Sequence, residues 1–381
     1  MKTFLVRYSE IGLKSRPVRV RFENKLVSNI TRRLASRGVK AGYSHGRKRI
    51  FIHVPDECIK KSVECLQKTF GVASFSLSEE CATDIKTITK GVEKLILKDL
   101  DDSVSLAVRV KRADKDFPMK SPEVSAHISD NLIDKTGCSI DLKNPDVEIF
   151  VEIRPKMTSI FREKIPGPVG LPYGTAGKVV VLLSGGIDSS VAAWLIMKKG
   201  CKIIPVFADN GKFGGHSKRV FLDVLELLSE YGDIPFYYTF KNGRNLSKFK
   251  RLRPSERKYK CLLCKRGLYR AANEVASKED CKAIVTGENL AQVASQTLQN
   301  LQVIDEASSL PVFRPLISFE KDDIIRIARD IGSFELSVDE KSECSAVPGM
   351  PATAARLTGV RAIEERTGSD FGTLQKHDYD G

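Results

Sequence analysis

Residues 167–381 predict a doubly wound α/β fold on a parallel sheet, with a smaller α+β region over residues 1–166 ahead of it. Three observations carry this. The unbroken apolar run Val179–Leu183 has the composition of a strand buried on both faces. Strand-like and helix-like periods then alternate along the chain, the pattern of βαβ units. A Pro/Gly-dense segment from Ile165 to Gly174 separates this pattern from a more mixed one before it.

The elements follow in order. Before the linker, Phe4–Tyr8 and Arg49–Val54 read as strands, and Phe22–Arg37 and Lys60–Phe70 as helices. Ser103–Val110 and Val147–Ile153 read as further strands around a helical Val124–Lys135, so that two small modules meet near Leu77. After the linker come strand Val179–Leu183, helix Ser190–Lys199, strand Lys202–Ala208, helix Ser217–Tyr231 and strand Pro235–Phe240. A helix around Cys264–Ala276, strand Ala283–Thr286 and helix Lys321–Ile331 complete the series. A ligand of such a sheet is expected at the carboxyl ends of its strands.

Composition excludes several classes. With 41% hydrophobic and 29% charged residues the chain reads as folded and globular. No apolar stretch approaches the ~20 residues of a membrane helix, and Met1–Arg7 reads as a strand, not a signal peptide. Nine cysteines, odd in number and irregular in spacing, argue against a disulfide framework and for a reducing, cytoplasmic setting. Cys58, Cys65, Cys201 and Cys281 read as small core residues. The five histidines show no metal-ligand spacing. The formal charge of +14 is unevenly spread: Lys241–Arg270 holds twelve lysines and arginines against the single acid Glu256, interleaved with Phe249, Tyr259 and Tyr269. A cluster of one sign with aromatics predicts an RNA-facing surface rather than a merely solvated one.

The strongest local signal is Ser184-Gly185-Gly186-Ile187-Asp188-Ser189-Ser190, set between an apolar strand and an apolar helix. Adjacent glycines allow close backbone approach to an anion, and amides at the helix start face phosphate oxygens. Ser184, Ser189 and Ser190 add hydroxyl donors. The segment lacks the lysine of a G-x-x-x-x-G-K-[ST] loop and the third glycine of a dinucleotide fold. Asp188 is unusual in a phosphate cradle and is assigned either to Mg²⁺ or to helix capping.

Ser-Gly-Gly-x-Asp-Ser after an apolar strand resembles the PP-loop ATP pyrophosphatases, which split ATP between the α and β phosphates and adenylate a substrate. Among them the chain resembles the tRNA 4-thiouridine synthetase (ThiI) family along nearly its whole length. Matching stretches are Val6–Ile11, Phe70–Phe75, Lys111–Pro118, Leu142–Asp146 and Val151–Arg154. The most specific is Thr286–Leu298, followed by Arg314–Ile317. The resemblance implies a ferredoxin-like domain (1–76), a THUMP domain (77–166) holding the tRNA acceptor end, and a PP-loop domain (167–381). It implies ATP contacts at Leu182, Leu183, Ser184, Gly185, Gly186, Asp188, Ser189, Ser190, Phe207, Ala208, Lys265, Gly287 and Gln296. Ser190 stands where the family often has proline.

Cys261 and Cys264 form a C-x-x-C, and Cys344 lies in the Gly/Pro-rich stretch Ser342–Pro351. A lone C-x-x-C serves as a redox dithiol, as half of a metal site, or as neither. Three thiolates fall one short of the usual four ligands of an iron–sulfur cluster, leaving one iron open for sulfur. Family members without a rhodanese domain resemble the iron–sulfur tRNA thiolases in carrying this set, which implies a four-iron cluster here. The chain's end at Gly381 leaves no expected room for a rhodanese domain. A persulfide on Cys344 beside a Cys261–Cys264 dithiol, zinc, and a structural role remain as alternatives.

The resulting expectation is a tRNA uridine 4-sulfurtransferase acting at position 8 with ATP and Mg²⁺. Its sulfur would come from inorganic sulfide or a sulfur-carrying protein. Asp188 would position Mg²⁺, Lys321 would stabilise the transferring phosphoryl group or simply point to water, and Cys344 would act in sulfur transfer. A homodimer and a role in thiamine thiazole synthesis stay open. The alternatives are a PP-loop enzyme for another tRNA base or a small molecule, and a non-catalytic tRNA-binding protein.

Overall fold

A computed structural model describes residues 1–46, 48–215, 217–338, 344–368 and 373–379. The chain forms two compact units, Met1–Gly170 and Leu171–Gly381.

The first unit has strands β1 (Lys2–Arg7), β2 (Gly42–Gly46), β3 (Arg49–Val54), β4 (Ser74–Cys81), β5 (Ser105–Arg112), β6 (Ser139–Ile140), β7 (Val147–Ile153), β8 (Thr158–Phe161) and β9 (Ile165–Pro166). Helices α1 (Arg16–Ser36), α2 (Ile59–Gln67), α3 (Ile85–Ile96) and α4 (Ser121–Thr136) join them. The strands make one sheet in the order β2-β3-β1-β4-β8-β7-β5-β6, with β9 also on β4. Leu77 lies inside β4. That strand pairs with β1 from Ser74 to Ser78 and with β8 from Glu79 to Cys81. Each half has its own core: Phe4, Leu26, Ile30, Ile52 and Phe75 in the first, Ile88, Val92, Leu106, Val124, Ile128 and Ile149 in the second.

The second unit has strands β10 (Lys178–Leu182), β11 (Lys202–Ala208), β12 (Phe236–Phe240), β13 (Ile284–Val285), β14 (Val312–Phe313) and β15 (Leu374–Asp378). Its helices are α5 (Ile187–Lys198), α6 (Lys218–Ser229), α7 (Asn242–Lys248), α8 (Lys260–Glu279), α9 (Leu298–Asp305), α10 (Lys321–Ile331), α11 (Ser333–Val338) and α12 (Leu357–Thr367). The sheet order is β14-β13-β10-β11-β12-β15. Five strands run parallel, and β15 closes one edge antiparallel on β12. Val179, Val180 and Val181 are buried, as a strand covered on both faces requires. The chain builds outward from β10 to β11 and β12, then returns to lay β13 on the other side of β10. The switch point therefore falls between β10 and β13, and the crevice for a ligand opens at their carboxyl ends.

Candidate active site

Two segments leave the sheet at that switch point: the turn after β10 and the strap Thr286–Leu298 after β13. Gly185 has φ +83°, a left-handed conformation that favours glycine. Gly186 is the N-cap of α5, so the next amides have no acceptor within the helix. The Ser184 amide donates to Ser189 Oγ at 3.1 Å, the two hydroxyls lie 3.0 Å apart, and Ser189 Oγ donates to Gly186 O at 3.0 Å. Ser184 is exposed at the mouth of the turn, while Ser189 braces it from within.

Ser190 lies behind the turn rather than at its mouth. It is fully buried, its hydroxyl donates to Ile187 O (2.8 Å) and lies 3.0 Å from Ser333 Oγ, and its amide bonds Gly186 O. With Ser337 Oγ donating to Gly185 O at 2.8 Å, short helix α11 forms a second layer behind the loop.

Asp188 is the charged residue at the mouth. Its carboxylate accepts from Lys321 Nζ at 2.6 Å and from Gln292 Nε2 at 3.4 Å. Lys321, on the first turn of α10, is thus aimed at the loop. Gly287 lies against the start of α5 so tightly that a Cβ would stand 2.6 Å from the Asp188 carbonyl carbon and 2.7 Å from the Ser189 amide. Leu183 is buried with its amide on Val206 O, and the Phe207 ring packs on Phe221 at 4.9 Å, so these two can offer a nucleotide only backbone groups. Ala208 ends β11 and Leu182 ends β10, both half-buried. Gln296 is buried, and its Oε1 has no hydrogen-bond partner among the described residues. A buried, unsatisfied acceptor at a crevice points to a donor from a ligand.

Glu288 escapes the sequence reading. It is buried and accepts from Lys265 Nζ (2.8 Å), Tyr269 OH (2.6 Å), Thr286 Oγ1 (3.1 Å) and Arg314 Nε (2.9 Å). Burial acts to raise its pKa, but the Lys265 charge and hydrogen bond, Tyr269 and Arg314 outweigh it and hold the carboxyl at about 2. Lys265 is paired with Glu288 in this structure. Glu288→Gln should destabilise the domain by about 3–5 kcal/mol at neutral pH, because it leaves buried cations uncompensated. A depressed carboxyl contributes stability that is full above its unfolded pKa and is lost as pH falls through the folded one. The difference between the parent and Glu288→Gln in urea unfolding should therefore be full at pH 7 and shrink as pH falls from about 4.5 towards 2.

The three cysteines gather on the same side. Cys261 and Cys264 lie one turn apart on α8, and Cys264, Cys344 and Leu182 pack on one apolar cluster with Leu246, Leu262 and Leu263. Burial pushes the Cys261 thiol up, with Cys344 among the groups that act on it, and pushes Cys264 up to about 11. Among the described residues no group of three or more His, Cys, Asp or Glu converges on a single ion. The donor chemistry of the set, three cysteines of which Cys264 and Cys344 pack on one cluster, suits a sulfur-ligated centre, and Lys260 and Lys265 favour the anionic form of Cys261. Cys344 belongs to an irregular segment in which the Ser345 amide donates to Phe213 O at 2.8 Å; its neighbours Ser342 and Glu343 lie outside the described residues. All nine cysteines are free thiols.

The basic stretch divides in two. Lys241, Arg244, Lys250, Arg251, Arg253, Arg257 and Lys258 are exposed. Arg266 turns inward instead, bonding both oxygens of Glu364 and also Glu306 and Val303 O, and Arg270 pairs with Glu364 as well. Phe249 and Tyr269 are buried, so of the three aromatics only Tyr259 remains partly accessible for stacking. In the first unit, a cavity of about 520 Å³ is lined by Arg7, Arg49, Arg109, Lys111 and Lys164 beside a stacked Phe150–Phe161 pair.

A glycine-rich turn at the switch point of a doubly wound sheet, crossed by a second strap and lacking a P-loop lysine, defines a nucleotide-binding domain of the PP-loop class. Comparison with known proteins narrows the class. The family described as "Thiamine biosynthesis protein (ThiI)" matches residues 174–368, the ThiI ferredoxin-like domain matches 3–76, and the THUMP domain matches 82–163. A "Probable tRNA sulfurtransferase" of Methanocaldococcus jannaschii is 36% identical over 95% of this chain and 96% of that protein. Its namesake in Methanobrevibacter smithii is 40% identical over 93% of each. Among solved structures, a 4-thiouridine synthetase in complex with RNA and bound ATP aligns over 100% of both chains, with TM-score 0.82 and 30% identity. The chain belongs to the ThiI family.

Proposed function

We propose that this chain is a tRNA uridine 4-sulfurtransferase that uses ATP to activate the base before sulfur enters. The observation that carries the reading is the joining of a phosphate loop, the Asp188–Lys321 pair and three cysteines at one end of one sheet. The family relationship supports it, as does the likeness to a 4-thiouridine synthetase holding RNA and ATP.

Uridine O4 attacks the α-phosphate of ATP, pyrophosphate leaves into the Ser184–Ser189 cradle, and the C4–O bond becomes an AMP ester. A carbonyl oxygen is a poor leaving group, whereas AMP leaves readily. Sulfide then adds at C4 and AMP departs, giving 4-thiouridine, AMP and pyrophosphate. Leu182, Leu183, Phe207, Ala208, Gly287 and Gln296 surround the nucleotide, and amides of the turn carry the pyrophosphate charge. Asp188 supplies a carboxylate oxygen suited to Mg²⁺, and Lys321 is placed to move from that carboxylate to the transferring phosphoryl group. Cys261, Cys264 and Cys344 would hold the iron–sulfur cluster, which would supply an open iron for sulfur. The target uridine is that at position 8, and the base is extruded to reach the crevice.

Residues 1–76 and 77–166 bind tRNA, and 167–381 carry the chemistry. Inorganic sulfide or a sulfur-carrying protein is the donor. A cytoplasmic setting suits the free thiols, and no described helix is long and apolar enough to cross a membrane.

The test is anaerobic reconstitution with iron and sulfide, then ATP, Mg²⁺ and unmodified tRNA, scored on a mercury-containing gel. A retarded, thiolated band that requires ATP is expected; none under these conditions would overturn the assignment. For the exposed cations, Arg251→Gln with Arg253→Gln and Arg257→Gln should lower the slope of log affinity against log salt by about 0.7–0.9 for each phosphate left without its cation. Arg270→Gln, being inward, should leave that slope unchanged.

A further inference from the structure

Asn242 lies directly behind the sulfur site, and the reaction just described makes no use of it. It opens α7, is 1% exposed, and is held in a tight backbone crossing: the Gly243 amide donates to Asp209 O at 2.9 Å, and a Cβ on Gly243 would stand 2.7 Å from Asn210 O. Its Nδ2 donates to Asn210 Oδ1 at 2.7 Å and to Cys264 Sγ at 3.4 Å, while its Oδ1 is buried and has no hydrogen-bond partner among the described residues. A carboxamide nitrogen carries two protons, and both are directed here. The group thus presents a donor to the Cys264 sulfur and leaves its own acceptor unused.

We propose that Asn242 is a positioning residue for the sulfur centre: its N–H orients the Cys264 sulfur as a ligand and tunes the cluster that would be bound there. This rests on the cluster reading of the three cysteines. Hydrogen bonds to ligating sulfur stabilise the reduced, more negative state and so raise the reduction potential. They also orient the ligand, and loss of such outer partners typically costs about 10–100-fold in metal affinity.

The parent protein, Asn242→Leu and Asn242→Asp are reconstituted anaerobically with iron and sulfide and compared in iron content, loss of iron to a chelator and reduction midpoint. Both variants should lose iron about 10-fold faster or more, with the midpoint moved to lower potential. Asn242→Asp, which sets a carboxylate against sulfur at unchanged volume, should show the larger effect. Melting of the iron-free proteins checks folding, and Asn242→Asp carries the test should Asn242→Leu not fold. Equal retention and an equal midpoint in parent and variants would overturn the role of Asn242 while leaving the cluster in place. A parent protein that takes up no iron and sulfide would overturn the cluster reading, and the role of Asn242 with it.

Discussion

Asp188→Asn is expected to slow pyrophosphate release from ATP by roughly 10²–10³-fold while leaving tRNA affinity unchanged. The side chain lies in the first turn of α5 and accepts from Lys321 and Gln292. Asparagine keeps its volume and one carbonyl oxygen, so the turn and its serine bracing stay intact. What disappears is the charge that holds Lys321 at the mouth and would ligate Mg²⁺. Removing one preorganised electrostatic group of this kind acts on the transition state, so the loss should fall in kcat. Lys321→Met should give a comparable loss, and the double variant should be no worse than the poorer single one, because the two side chains act as a unit. Rapid-quench measurement of pyrophosphate in a single turnover, with saturating tRNA, reads this directly. A parental rate in Asp188→Asn would remove the charge from the mechanism.

Cys344→Ser should separate the two half-reactions. Its loop is held by backbone bonds, Ser345 N to Phe213 O and Val347 N to Cys344 O, so exchange of sulfur for oxygen leaves the segment in place. The phosphate loop does not depend on that thiol. AMP and pyrophosphate should therefore still form in the first turnover with tRNA present, while thiolated tRNA falls to background. Gel retardation and labelled-ATP chromatography on the same samples distinguish this from a general loss. Loss of both products together would place Cys344 in the adenylation step or in folding.

Strands buried on both faces and strongly amphipathic helices are legible at residue level: Lys202–Ala208, Arg49–Val54, Val147–Ile153 and Lys321–Ile331 end where their patterns end. β4 is not, because its buried positions include Ser76 and Ser78, which break the apolar alternation. β13 and β14 are two residues each and too short to carry a period. At the site, the turn and Asp188 can be read locally because their chemistry is contained in seven consecutive residues. The inward turn of Arg266 cannot, since its partners Glu306 and Glu364 lie 40 and 98 residues away. For the same reason the pairing of Lys265 with Glu288, 23 residues further on, is not legible locally. Asn242 carries no sequence signal at all; only the fold sets it against Cys264.

The divided pairing of β4 bears on how the first 170 residues were assembled and inherited. A strand that serves one neighbour with its first five residues and another with its last three cannot be assigned to either module alone. Cutting the chain just after it would leave β4 with an unpaired end, and cutting before it would strip β1 of a neighbour, in either case a bare template for aggregation. Melting should thus be a single cooperative transition for the whole unit. An ancestor that recombined one module without the other would have had to supply a replacement strand.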